Sequence, residues 1–386
     1  MVFRILSLDG GGMRGIVSAH ILKQVEERLG GGPLRDHFDL IAGTSTGAII
    51  AGAIAAGLSA SEIFNIYEKE GKDIFPYRNY WALGRIPLML KHGISAPKFS
   101  DQGLVKVISG HLGNLTLGDI TPTSPYGLHV LITSYDTVRR RPVIFKSWYR
   151  HKWYKTLSLA DACISSASAP TYFPAHRIDP KSYGLNQEYS LVDGGVCANN
   201  PTSCAVVAGA KLLSKRLPSK LVSACLSQIK VLSIGTGDPA QPLLWQQVRG
   251  WGLSQWAPRI ADVLMDAPND IHRYITEQLM SRSPRFANTG STSQSNYLRL
   301  QFPLNDKLMQ KLGQSPSASS RYNLRAIDDA RPQFRRLLVA ATDLYLDGQL
   351  DRFPDETQGR PANPTPREQL YLLLDHWSMK PQGYVL

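Results

Sequence analysis

Twice before residue 60 an apolar run stops at a glycine turn and gives way to a helix. Val2 to Leu8 ends in Asp9-Gly10-Gly11-Gly12, and a helical stretch follows from about Gly15 with Ile21, Leu22, Val25 and Leu29 on one face. Gly30-Gly31-Gly32-Pro33 stops it. Phe38 to Ala42 runs into Gly43-Thr44-Ser45-Thr46-Gly47, then into Ala48 to Ala56, which is apolar all round and so predicts a helix buried on every side. Further strands are expected at His129–Thr133, Val143–Lys146, Tyr189–Val192, Lys230–Ile234 and Tyr297–Phe302, with helices between several of them. Strands alternating with helices predict the α/β class, with a mostly parallel sheet covered on both faces. The last clear helix is expected from about Arg331 to Leu346, with Phe334, Leu337, Leu338, Ala341 and Tyr345 inward.

The 386 residues are 43% hydrophobic and 19% charged, which predicts a packed domain rather than disorder. Residues 1–348 read as that domain. Residues 349–386 read as an extension, linker-like from Arg352 to Arg367 and ending in a short helix at Leu370–Trp377. Ser281–Asn296 and Gly313–Ser320, rich in Ser, Asn and Gly, read as mobile. Cys163, Cys197, Cys204 and Cys225 form no C-x-x-C pair and lack a zinc-type His spacing, so buried thiols in a reducing compartment are expected. No signal peptide and no membrane-spanning stretch is legible, which places the expected site in the cytoplasm, with peripheral contact to a membrane from that side. The net charge of +12 favours anionic partners, nucleic acid or acidic headgroups, without choosing between them.

Three loops carry candidate chemistry. Gly43-x-Ser45-x-Gly47, between a strand and a helix, would push a hydroxyl out over the sheet edge, with the helix N-terminus adding positive potential. Gly10-Gly11-Gly12-Met13-Arg14 follows a strand, where successive amides can converge on an oxyanion; Arg14 either adds charge or locks the loop. Asp193-Gly194-Gly195 ends an apolar strand, which aims a carboxylate into the crevice where loops meet, although an Asp-Gly turn needs no such role. Gly10-x-Gly12-x-x-Gly15 also fits a dinucleotide fingerprint. That fingerprint wants an acid at the end of the second strand, whereas Asp39 sits near its start.

In this order the motifs resemble those of the patatin-like phospholipase family: D-G-G-G-x-R-G at Asp9–Gly15, G-x-S-x-G at Gly43–Gly47 and D-G-G at Asp193–Gly195. Ala167 to Pro174 and Ser233-Ile234-Gly235-Thr236-Gly237 look similar to further family segments, and the likeness covers roughly residues 1–346. The resemblance implies a three-layer α/β/α patatin-like fold and a Ser45–Asp193 dyad. It implies an oxyanion hole from Gly10, Gly11, Gly12, Met13 and Arg14, and hydrolysis of lipid esters with no cofactor and no metal. The expected partner is a lipid at a membrane or lipid-droplet surface, with no nucleic acid; oligomeric state is left open. The alternatives are a nucleotide-binding oxidoreductase, a catalytically silent lipid-binding protein, and an α/β-hydrolase triad in which Asp193 orients His272 or His376. Two stretches mix aromatic, aliphatic and basic residues as an interface contact would: Phe75–Trp81 with Leu83–Lys91, and Trp148–Lys155. Buried aromatics would give the same composition. Trp245, Trp251 and Trp256 are candidates for a lid over an acyl channel.

Overall fold

The computed structural model describes residues 2–79, 81–120, 127–149, 152–215, 225–239, 242–281, 296–314, 323–350 and 364–378, without the side chains of 257–262, 264–266, 281, 376 and 378. The expected mobile segments at Ser281–Asn296 and Gly313–Ser320, and the linker at Arg352–Arg367, lie largely outside the described residues.

Eight strands form one sheet: β1 (Phe3–Leu8), β2 (Leu40–Gly43), β3 (His129–Asp136), β4 (Arg141–Lys146), β5 (His176–Ile178), β6 (Tyr189–Asp193), β7 (Ile229–Ile234) and β8 (Tyr297–Leu300). The lanes β3-β2-β1-β7-β8 are parallel, and β4, β5 and β6 join antiparallel at one side. The helices that frame the site are α1 (Gly15–Arg28), α2 (Thr46–Ala56), α3 (Ile86–His92), α4 (Leu159–Ala167), α5 (Thr202–Ser214), α6 (Leu253–Ser281), α7 (Pro332–Leu346) and α8 (Pro366–Ser378).

Strand alternation divides the core into two layers. Phe3 and Ile5 pack with Ala205 and Val206 of α5, while Leu6 and Leu8 pack with α1, α2 and α7 on the other face. Each large side chain so buried contributes about 1.5–3 kcal/mol. The protein is thus a three-layer α/β/α structure with a mostly parallel sheet. Helix α8 joins the larger core through Leu370, Leu374 and Trp377, whose ring meets Phe38 edge-on at 5.4 Å. β2 begins at Leu40 rather than Phe38, because the Phe38 ring is buried in that core and the Asp39 carboxylate accepts the Arg4 amide at 2.8 Å. β5 carries no apolar run and is not legible in the sequence.

One feature of the sheet positions the site. β4 pairs with β3 along Leu131–Asp136, whereas β2 pairs with β3 up to Ile132 and β6 from Ser134 onward. A strand has only two edges, so β2 and β6 share the edge that β4 leaves. They run towards each other and meet at Thr133. The C-terminal ends of both strands, Gly43 and Asp193, therefore face each other across one residue.

Candidate active site

Ser45 follows β2 with φ 54° and ψ −123°. A non-glycine residue holds such a backbone at a cost of about 1–3 kcal/mol, and only when its surroundings over-determine it. Those surroundings are close. A Cβ on Gly47 would lie 2.2 Å from the Leu8 carbonyl oxygen, and one on Gly43 would lie 2.3 Å from the Gly47 carbonyl oxygen. The Ser45 amide donates to Ser166 Oγ at 2.8 Å, which ties the turn to α4. Gly47→Ala should lower the unfolding free energy by about 2 kcal/mol or more, since backbone of β1 blocks the methyl. A urea midpoint equal to that of the unaltered protein would contradict this packing.

Asp193 is buried at the end of β6. Its carboxylate accepts from the Gly195 amide at 2.7 Å, and the Ser45 hydroxyl lies near enough to favour its charged form. Burial pushes its pKa up from 3.8 to about 6, against the lowering pull of those two groups. Gly194 is required by the strand junction, for a Cβ there would lie 2.3 Å from Thr133 Oγ1. Thr44 Oγ1 is 2.6 Å from Thr133 Oγ1 and donates to the Ala198 carbonyl at 2.6 Å, which closes the junction.

The glycine loop lies directly against the serine: a Cβ on Gly10 would come within 3.0 Å of Ser45 Cβ. Its amides are not equivalent. Gly10 N–H donates to the Asn199 carbonyl at 3.1 Å, Met13 N–H to the Ile327 carbonyl at 2.7 Å, and Arg14 N–H to the Gly11 carbonyl at 3.1 Å. The expected oxyanion role of these three amides is therefore corrected: their hydrogens are already directed at chain carbonyls. Gly11 and Gly12 N–H have no acceptor among the described residues. Gly12, at φ 57°, also lies so near Ile327 that a Cβ would be 2.1 Å from its carbonyl oxygen. Arg14 is buried and reaches the carbonyls of Gly11 and Gly237 at 3.5 and 3.3 Å, so it locks the loop.

Sequence reasoning missed the base of this loop. Asp9 is buried and paired with Arg299 of β8, which holds it through two N–H donors and also reaches Ser233 Oγ at 2.8 Å. Burial works against the Arg299 charge, but the Asp9 carboxylate outweighs it, so the Arg299 pKa is raised and the guanidinium stays charged. A charged residue inside a run otherwise read as an apolar strand was the available signal.

The ring of His272 has Nδ1 2.6 Å from Ser203 Oγ and Nε2 3.2 Å from the Cys197 carbonyl, so it is not set against Asp193. The His376 side chain lies outside the described residues. Asp39 is fixed at the end of the sheet opposite the glycines, which leaves the dinucleotide reading without a carboxylate for the ribose.

A cavity of about 1000 Å³ opens over the pair. Ser45, Asp193 and the Gly10–Gly12 loop form its floor, and Ile49, Ile74, Phe75, Leu104 and Phe173 give it an apolar wall. Leu243 and Val263 line it on another side, but none of Trp245, Trp251 and Trp256 does, so the expected tryptophan lid is corrected. Trp251 and Trp256 pack edge-on at 5.3 Å instead. The four cysteines are free thiols. Among the described residues no helix is long and apolar enough to cross a membrane.

Fold and site together define an α/β protein built around a buried serine–carboxylate pair. The family model for patatin-like phospholipase matches residues 6–206, more than half of the chain. The chain belongs to the patatin-like phospholipase family, which supports lipid hydrolase activity. It is 31% identical over 381 residues to patatin-like protein 2 of Oryza sativa subsp. indica, covering 92% of this chain and 86% of that protein. It is 28% identical over 289 residues to the cGAMP-activated phospholipase of Vibrio cholerae serotype O1, covering 70% and 75%. Among solved structures it is similar to VipD from Legionella pneumophila, at a TM-score of 0.37 and 13% identity over 88% of this chain and 67% of that one.

Proposed function

We propose that the protein hydrolyses carboxylic ester bonds of membrane or storage lipids through a Ser45 acyl-enzyme, with Asp193 as general base. The observation that carries this reading is that Ser45, a buried Asp193 and the Gly10–Gly12 loop line one floor of a cavity with an apolar wall. Asp193 takes the proton as Ser45 Oγ attacks the ester carbonyl. The Gly11 and Gly12 amides, which have no acceptor among the described residues, stabilise the tetrahedral oxyanion. The C–O bond to the alcohol then breaks, and Asp193 returns the proton to the leaving oxygen. Water enters, gives its proton to Asp193 and cleaves the acyl-enzyme, which restores Ser45. The aliphatic wall accepts the acyl chain. The surface contacts proposed for Trp148–Lys155 are not supported: Trp153 packs on Tyr189 at 4.4 Å and Trp148 on His129 at 5.2 Å, while Arg150 and His151 lie outside the described residues.

Mixed phospholipid vesicles should release free fatty acid detectable by mass spectrometry, and an alkyl fluorophosphonate should add to Ser45 and stop the release. Because the base works only when ionised, kcat/KM should rise about tenfold per pH unit up to about pH 6 and then level off. Fatty-acid release that persists in Ser45→Ala would end this reading.

A further inference from the structure

Residues 77–98 form a loop whose polarity is inverted. Its buried residues include a cation at the centre: Arg85 donates to the carbonyls of Ile94, Ala96 and Pro97. Four large apolar side chains point outward: Trp81, Leu83, Leu90 and Ile94 are 79, 82, 84 and 72% exposed, and α3 buries none of its side chains. A loop folding for its own stability would do the reverse. The guanidinium ties the middle of the loop to its C-terminal end, and the Tyr77 hydroxyl joins the two ends through the Lys98 carbonyl at 2.7 Å. The apolar side chains are therefore held outward rather than left to collapse. Exposed apolar clusters of this size mark an interaction surface.

The loop is rooted in the cavity wall. Phe75, which lines the cavity, meets Phe99 at 5.4 Å and Phe173 at 5.7 Å, and Tyr77 meets Phe99 at 5.2 Å. Across the same cavity, the segment carrying lining residue Leu243 continues into Leu244 and Trp245, which are also exposed. The charge on the loop has one sign. No acidic residue occurs between Asp73 and Asp101; Lys91 and His92 face outward, while the half-exposed Arg78 reaches Asp329 Oδ2 at 3.8 Å.

We propose that this loop is a membrane-docking platform that seats the cavity mouth on an anionic lipid bilayer. The proposal rests on the lipid-hydrolase reading above and deepens it. Tryptophan and leucine enter the headgroup boundary while Lys91 meets lipid phosphates, a division of labour suited to a bilayer surface. A second copy of the chain fits poorly, because a two-fold interface places each basic patch against itself.

The test uses the full chain carrying Ser45→Ala, so that binding is read without lipid damage. Flotation with phosphatidylcholine vesicles containing phosphatidylglycerol should recover the protein with the vesicles. The triple variant Trp81→Ser/Leu83→Ser/Leu90→Ser should lower partitioning by about 1000-fold, as each large apolar side chain buried accounts for about tenfold or more. Lys91→Glu should lower binding about tenfold on these vesicles and leave binding to pure phosphatidylcholine unchanged. With Ser45 restored, the triple variant should hydrolyse a dissolved butyrate ester within about twofold of the unaltered protein and lose vesicle hydrolysis. Undiminished vesicle binding in the triple variant overturns the proposal. So does a dimer, seen by sedimentation, that the triple variant dissolves while the unaltered protein ignores vesicles. Failure to cleave the dissolved ester strikes the hydrolase reading alone, because the Ser45→Ala flotation still reports docking.

Discussion

Asp193→Asn should cut ester turnover at pH 8 by about 10⁴-fold, the scale seen when one member of a catalytic constellation is removed, and should at the same time make the protein more stable. The two effects have one cause. The carboxylate is held in a buried site where its pKa climbs from 3.8 to about 6, so its charged form is under-solvated in the folded state. That climb corresponds to an upper limit of about 3 kcal/mol of lost stability at alkaline pH. The sign follows from proton binding. Between pH 3.8 and about 6 the folded protein holds a proton that the unfolded chain has released, so stability falls as pH rises through that window. Asparagine removes the ionisation and keeps an oxygen for the Gly195 amide. Urea unfolding should therefore show the variant and the unaltered protein equal near pH 3.5 and the variant ahead above pH 6. Equal stability at pH 8 would mean that the carboxylate is not strained, and the case for an activated base would go with it.

The parts of this arrangement that were legible in the sequence are those written in contiguous residues. The glycine turns after β1 and β2 follow from apolar runs that stop abruptly, and the Gly43–Gly47 elbow needs its glycines for reasons local to the turn. The meeting of β2 and β6 was not legible, because it depends on β4 claiming the opposite edge of β3, which is a fact of pairing rather than of pattern. The same holds for the Gly10–Arg14 loop. Its five residues look alike in sequence, but Ile327 and Asn199, more than 180 residues away, take the amide hydrogens of Met13 and Gly10. The docking loop was half legible: its composition matched that of Trp148–Lys155, and only packing separates an outward Trp81 from a Trp153 spent on Tyr189.

Arg299→Met should be the most damaging substitution outside the serine–aspartate pair. It leaves Asp9 as a buried carboxylate with its cation removed, and breaking a buried pair from one side costs about 3–5 kcal/mol, a large share of the stability of an ordinary domain. The damage has a direction in pH. Burial already holds the Asp9 carboxylate above its usual range against the pull of Arg299 and, more weakly, of His272, and without the guanidinium its folded pKa lies higher still. The penalty is then full above that folded pKa and relaxes as pH falls through it and the carboxylate takes a proton. The remedy is equally specific: Asp9→Asn in the same chain removes the charge that lost its partner and should recover most of the stability at pH 8. Turnover should not recover with it. Asp9 precedes Gly10, the Arg299 fork fixes its side chain from β8, and the Gly11 and Gly12 amides are placed by that anchor. The double variant should thus be folded but slow, with the loss in kcat rather than KM, because the oxyanion is bound only in the transition state. Urea curves at two pH values and steady-state kinetics on a dissolved ester would separate these outcomes. A single variant within 1 kcal/mol of the unaltered protein, taking that as roughly the scale of an exposed ion pair, would show that the pair is not what holds the glycine loop.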